Sequence, residues 1–214
     1  MAASAQIVEL QQLLQQKGLG RALPKAQSPD FEPATTGIPY LDAQLNGGLP
    51  RGRISEITGP SSSGRTSLAF NILATAGERE EVMAYIDATD SFDPRSAQQF
   101  DIDFERLLWV RCNVDKQPRY RQLALKRQQA DEAWQALNLV ASAGGFGVII
   151  LDLADLPLKK LRRWQAQQWR RVIRSIENTA TALVILTEAH LTGSSASVVL
   201  ELNRNSTQVR LSRG

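Results

Sequence analysis

Short apolar runs alternate with stretches of helical periodicity along most of the chain. Continuous apolar runs, typical of strands buried on both faces, predict strands at 54–58, 82–86, 107–110, 148–152 and 182–187. Apolar residues spaced by three and four predict helices at 40–45, from 64 onward, near 94–100, at 120–143 and at 162–178. Two short strands follow at 197–202 and 207–211. The order predicts an α/β fold: a mostly parallel twisted sheet with helices on both faces and a C-terminal antiparallel strand pair.

A short amphipathic helix is predicted near the N-terminus, because Ile7, Leu10 and Leu14 recur at helical spacing. Prolines then punctuate residues 21–36, which predicts an extended linker or arm. Two interpretations of the helix stay open: it folds back on its own core, or it docks on a partner chain.

Composition agrees with one core domain at 36–214 behind an N-terminal helix and arm at 1–35. The chain has 214 residues, of which 43% are hydrophobic and 22% charged, as in ordinary globular proteins. Its single cysteine, Cys112, excludes an internal disulfide and suits a reducing compartment. No secretory signal and no apolar run of about 18 residues occurs. We therefore expect a cytoplasmic protein without membrane insertion.

Basic residues are concentrated on the last long helix of the predicted fold. Lys160, Arg163, Arg170, Arg171 and Arg174 fall opposite its apolar side when plotted at 100° per residue. This basic face has three interpretations: a solvated surface, a contact with an acidic partner protein, or a contact with DNA phosphates.

The segment GPSSSGRT at 59–66 matches a phosphate-binding loop except at one position. In such loops the backbone N–H groups and the helix N-terminus hold phosphate, a lysine reaches the outer phosphates, and a hydroxyl binds Mg²⁺. Here Thr66 supplies the hydroxyl, but Arg65 replaces the lysine with a broad planar fork. ATP and Mg²⁺ are the cofactors that this loop would take. Its candidate binding residues are Gly59, Ser61, Ser62, Ser63, Gly64, Arg65, Thr66 and Ser67.

Several separated motifs resemble the RecA-like recombinases over residues 36–211. They are TGIPYLD at 36–42, GGLPRGRI at 47–54, EITGPSSSG at 56–64, YIDA at 85–88 and DP at 93–94. Within that superfamily the chain looks most like the ImuA family of accessory proteins, which are encoded with translesion polymerase components. GGFGVIILDL at 144–153 and WVRC at 109–112 carry this closer likeness. The resemblance implies a RecA-like P-loop core.

The resemblance also implies roles that several positions no longer match. Asp152 corresponds to the aspartate that holds Mg²⁺ through water, although a carboxylate ending a buried strand also serves as a simple cap. Thr89 stands where the family has the glutamate that orients the attacking water, and losing a general base removes a factor of about 10² to 10⁴. Asp90 could substitute only if the strand end slips by one residue. Ser96 replaces the adenine-stacking aromatic, and Glu188, replacing the nucleotide-sensing glutamine, would repel a γ-phosphate.

Two functional hypotheses follow from these departures. The first is a non-enzymatic accessory protein of the DNA-damage response, in translesion synthesis, SOS mutagenesis or recombination control. It would contact a recombinase filament or an error-prone polymerase subunit through its N-terminal helix, arm and basic face, and associate with the nucleoid when engaged. The alternative is a divergent ATPase or recombinase that binds ATP and single-stranded DNA and uses Arg65 and Asp90, with Glu188 as a weaker catalytic candidate. The pattern leaves homo-oligomerisation open.

Overall fold

The computed structural model describes residues 31–112, 122–204 and 206–211. The predicted N-terminal helix, with Ile7, Leu10 and Leu14, lies outside these residues. None of the helices in the described ranges is both long enough and apolar enough to cross a membrane.

Seven strands of the described residues form one sheet. They are β1 Arg53–Thr58, β2 Met83–Asp87, β3 Leu107–Arg111, β4 Val148–Asp152, β5 Ala182–Thr187, β6 Ala196–Asn203 and β7 Ser206–Leu211. Their order is β3-β2-β4-β5-β1-β6-β7. All neighbours are parallel except β6 and β7, which pair antiparallel. The predicted strand positions and the C-terminal antiparallel pair are confirmed.

The helices connect the strands on both faces of the sheet. They are α1 Pro39–Gln44, α2 Arg65–Glu78, α3 Pro94–Ala97, α4 Gln122–Ala143, α5 Leu158–Leu161 and α6 Ala166–Ile176. Alternate strand residues serve the two faces, since successive side chains of a strand point opposite ways. In β1, Ile57 packs in the cluster that contains α2 residues, and Ile54 packs in the cluster that contains α4 and α6 residues. The predicted α/β fold with two helical layers is therefore confirmed.

One predicted helix is wrong in its extent. The sequence predicts a single helix over 162–178, but α5 and α6 are separated by a turn at 162–165. Gln165 begins α6 with a capping box, in which its N–H donates to the Gln168 side chain at 2.8 Å. Trp164, inside the turn, is buried against Trp134 with ring centroids 4.8 Å apart. Burial of this indole and the cap at Gln165 redirect the chain.

The break divides the predicted basic face. Lys160 lies on α5, and Arg163 lies in the turn, where its guanidinium forms an ion pair with Asp131 of α4. Arg170, Arg171 and Arg174 remain together on α6, and all are exposed. The prediction of one continuous face with five cations is therefore wrong.

The described end of the predicted arm is packed against the core. Ala34 exchanges backbone hydrogen bonds with Leu49, at 2.9 and 2.7 Å, and is buried. Gly48 lies so close that a Cβ there would stand 2.4 Å from the Ala34 carbonyl oxygen. The backbone bridge between Ala34 and Leu49 therefore joins the described end of the predicted arm to the core.

Arg51 joins several segments at the edge of the sheet where the parallel strands begin. Its Nη1 donates to the carbonyls of Gly147 at 3.0 Å and Ala180 at 2.7 Å. Its Nη2 donates to Glu81 at 2.6 Å, and its Nε donates to the carbonyl of Glu32 at 2.7 Å. The Arg51 side chain is only 6% exposed. One buried cation thus ties the starts of β4 and β5 to the N-terminal segment and the end of α2.

We predict that Arg51→Ala lowers the free energy of unfolding by about 3 kcal/mol, because Glu81 keeps Arg79 as a partner but loses Arg51, and three carbonyls lose the donor that Arg51 supplies. Urea denaturation followed by circular dichroism measures the loss. Arg53→Ala is the matched control, since Arg53 is an exposed arginine two residues away, and we expect a change within about 0.5 kcal/mol. Equal losses in the two variants would contradict the assigned role of Arg51.

Candidate functional site

The phosphate-loop segment at 59–66 connects β1 to α2, at the carboxyl edge of the sheet. Two glycines permit its path. A Cβ at Gly59 would stand 2.4 Å from the Leu202 carbonyl oxygen, and Gly64, just before α2, has φ +95° in the left-handed region. The segment in which the sequence predicts a phosphate loop therefore turns from β1 into the N-terminus of α2.

Arg65 directs one terminal nitrogen of its guanidinium into the protein. Its Nη1 donates to the carbonyls of Gly59 at 2.5 Å and Thr187 at 2.7 Å, and the residue is only 7% exposed. In a lysine-bearing loop the corresponding ammonium reaches the outer phosphates. Here Nη1 joins the first residue of the loop to the end of β5, so the hydrogens of this nitrogen are bound within the protein.

Asp152 ends β4 and is buried. It accepts a hydrogen bond from the Tyr85 hydroxyl at 2.5 Å and one from the backbone N–H of Ala154 at 3.0 Å. Burial raises the pKa of Asp152, although these two hydrogen bonds lower it in part. Burial and the Asp152 charge also hold the pKa of Tyr85 well above its usual value. The predicted Mg²⁺ residues thus differ in setting, since Thr66 is exposed at the start of α2 whereas Asp152 is enclosed.

Asp90 lies beyond β2, which ends in register with β4 at Asp87 and Asp152. Its carboxylate accepts from Nε and Nη2 of Arg111 on β3, at 2.7 and 2.8 Å. The hydrogen bond to Asp90 raises the pKa of Arg111. Thr89, the residue at the water-orienting position, donates its hydroxyl to Ser91 at 3.2 Å. Asp90 is therefore engaged on the β3 side of the strand end.

A cleft of about 360 Å³ opens beside the loop. It is lined by Ser61, Arg65, Glu188 and residues 154–157, so Glu188 borders the same space as the loop. Ser96 lies elsewhere, at the exposed start of α3, where its hydroxyl donates to Asp93 at 2.6 Å. No group of three or more His, Cys, Asp or Glu side chains suited to a metal ion occurs in the described part of the chain.

Glu56 is a site residue that the sequence predictions missed. This residue, in the middle of β1, is fully buried. Its Oε1 accepts from the Leu191 N–H at 2.6 Å and the Thr187 hydroxyl at 3.1 Å. Its Oε2 lies 2.8 Å from His190 Nδ1 and accepts from the Thr192 hydroxyl at 2.7 Å. A charged residue inside an apolar strand was the available signal, because buried charges need partners.

Glu56 and Arg65 form hydrogen bonds with neighbouring segments of the chain. Arg65 holds the carbonyl of Thr187, the last residue of β5, and Glu56 holds the loop that follows it, through Leu191 and Thr192. The segment after β5 is thus fixed by two charged side chains from β1 and α2. No bound nucleotide is needed for these contacts.

Comparison with known proteins agrees with the motifs. A model of the RecA N-terminal domain matches residues 7–188. Protein RecA of Wigglesworthia glossinidia brevipalpis is 30% identical over 190 residues, which cover 80% of this chain and 52% of that protein. The chain therefore spans about half the length of this curated relative.

We predict that Glu56→Gln lowers the free energy of unfolding by about 2 kcal/mol, because an amide nitrogen cannot accept the hydrogen bonds that the carboxylate accepts. Native-state hydrogen exchange should show faster exchange at the amides of Leu191 and Thr192. Glu188→Gln, at an exposed glutamate one residue beyond β5, is the control and should change neither quantity. Unchanged protection of the two amides in Glu56→Gln would show that the carboxylate does not hold this loop.

Proposed function

The chain belongs to the RecA family, and from this premise we propose that it is an accessory protein of the DNA-damage response that acts by protein contact. Its role would be that of the ImuA type, in translesion synthesis, SOS mutagenesis or recombination control. Its partners would be a recombinase filament or an error-prone polymerase subunit, and it would join the nucleoid when engaged with them.

The observation that carries this proposal is the position of Arg65. In a phosphate loop the lysine reaches the outer phosphates, whereas here Nη1 of Arg65 donates to the carbonyls of Gly59 and Thr187. Nη1 must give up these two hydrogen bonds before it can donate to a phosphate. Each bond that Nη1 forms to a phosphate is therefore offset in part by the loss of a bond within the protein.

The carboxylates near the loop support the same conclusion. Asp152 is enclosed beneath Tyr85, and Asp90 is bound by Arg111. A general base must reach the proton that it removes, directly or through one water. Thr89 supplies no carboxylate at the usual base position, which leaves Glu188, on the cleft beside the loop, as the catalytic candidate of the alternative hypothesis.

Contact with partners is proposed for two parts of the chain. The amphipathic pattern of Ile7, Leu10 and Leu14 is one candidate, and the three arginines of α6 are another. Single-stranded DNA remains a further candidate ligand of those arginines, because guanidinium groups bind phosphate well.

We predict that the purified full chain hydrolyses no ATP above the level of Thr66→Ala, in steady-state and in single-turnover assays, with or without single-stranded DNA. Thr66 is the exposed hydroxyl at the start of α2, so its loss should abolish any Mg²⁺-dependent turnover. A full-length RecA assayed in parallel confirms that the DNA and the buffer support turnover. DNA-stimulated hydrolysis that disappears in Thr66→Ala would refute the accessory role as proposed.

A divergent ATPase is the second candidate, and one observation favours it. The glycine geometry of the loop and the N-terminus of α2 are retained, and a cleft of about 620 Å³ lies beside them. Ser63, Gly64 and Ser67 border this cleft, together with Leu202 and Asn203 of β6. Phosphate contacts through backbone N–H groups would not require a lysine.

For this second candidate we predict a rise in melting temperature with excess Mg²⁺-ATP. Ligand at 100 times its Kd stabilises a protein by about 2.7 kcal/mol. Differential scanning fluorimetry of the native chain and of Thr66→Ala measures the effect. A melting temperature that does not change with millimolar Mg²⁺-ATP excludes the divergent ATPase.

A further inference from the structure

A groove between α4 and α6 lies away from the phosphate loop. It has a volume of about 570 Å³, and its lining includes Trp134, Asn138 and Leu139 of α4 and Gln168 and Arg171 of α6. The Trp134 ring also packs inward, with its centroid 4.8 Å from that of Trp164 and 5.0 Å from that of Trp169. The groove therefore has an aromatic wall that is fixed by the core.

Leu139 forms an apolar edge of this groove. It is 72% exposed, whereas Leu137 and Val140, its neighbours on α4, are buried in the core. Single exposed leucines are common on protein surfaces and need no explanation. This leucine differs because it borders a concave space with an indole beside it, where an apolar side chain of another molecule could be buried.

The groove continues into a basic surface. Gln168 and Arg171 line both the groove and an adjoining depression of about 600 Å³, which also contains Arg170 and Arg174. Among the described residues, no carboxylate forms an ion pair with Arg170, Arg171 or Arg174. Asp131, a carboxylate of α4, is already paired with Arg163.

We propose that this surface binds an acidic segment of a partner protein that carries one bulky apolar side chain. The apolar side chain fills the space between Trp134 and Leu139, and neighbouring carboxylates pair with the α6 arginines. An amphipathic helix laid along a groove meets both requirements. This inference deepens the proposed accessory function and rests on it, since it specifies the chemistry of the partner.

The apolar part of the surface, at Trp134 and Leu139, favours a protein ligand over a nucleic acid ligand. A phosphodiester chain satisfies the arginines but supplies no aliphatic group for Leu139. A peptide with carboxylates beside a leucine satisfies both halves, and buried apolar anchors carry most of the binding energy in such contacts.

The test uses a fluorescein-labelled helical peptide of about 15 residues, with one central leucine flanked by glutamates at the i±3 and i±4 positions. Fluorescence anisotropy measures its Kd for the full chain. Leu139→Ser and Arg171→Glu should each weaken binding about tenfold, since each removes one half of the recognition. A peptide with serine in place of its leucine should lose a similar factor.

Matched controls separate local from general effects. Leu211→Ser removes another exposed leucine, and Arg53→Glu reverses another exposed arginine, both outside the groove. We expect both controls to bind the peptide within about twofold of the native chain.

Three results would overturn the inference. In the first, the peptide does not bind, or its binding depends on Arg171 but not on Leu139, which indicates charge attraction alone. In the second, oligo-dT of the same length binds through Leu139 as well as Arg171, which makes the surface a DNA site. In the third, Leu139→Ser dissociates copies of the chain in sedimentation velocity, which makes the groove a self-contact.

An ATPase assay on the same preparation distinguishes failure of the docking surface from failure of the proposed function. Peptide binding together with DNA-stimulated turnover would leave the docking surface intact and refute the accessory role. No turnover and no peptide binding would refute the docking surface alone.

Discussion

Helices cover both faces of the sheet, so water does not reach the charged residues inside it. Each buried charge must therefore find its partners within the protein. Arg51 meets this requirement where the parallel strands begin, through Glu81 and the carbonyls of Gly147 and Ala180. At the carboxyl edge, Glu56 and Arg65 meet it by binding the end of β5 and the loop after it. The positions of several connecting segments follow from how these three charges are satisfied.

The strands and most helices could be predicted because their signals are local. A buried parallel strand such as β4 is a continuous apolar run, and its ends are marked by the residues that flank it. The turn at 162–165 could not be predicted in this way, because helical periodicity continues across it. At 100° per residue Trp164 falls beside Arg171 and not with the apolar residues, and its packing against Trp134 of a distant helix shows that the chain turns there.

Only part of the candidate site could likewise be predicted from the sequence. The glycine pattern predicts the path of the loop at 59–66, because backbone freedom is a property of the residue itself. The direction of the Arg65 side chain depends on the carbonyl of Thr187, and the partners of Glu56 lie more than 130 residues away in the chain. A charge inside an apolar strand signals that Glu56 has buried partners, but a local pattern does not say which residues they are, so the sequence identified the loop but not what holds it.

The hydrogen bonds of Arg65 also bear on how such a site can change over evolutionary time. A lysine at this position has one compact ammonium in place of the forked guanidinium. If that ammonium turned toward a phosphate, the carbonyls of Gly59 and Thr187 would lose the donor that they now share. A lysine here would therefore exchange an internal link between the loop and β5 for a cation that is able to face a phosphate. The residue at this position thus decides whether the loop is held from within the protein or by its ligand.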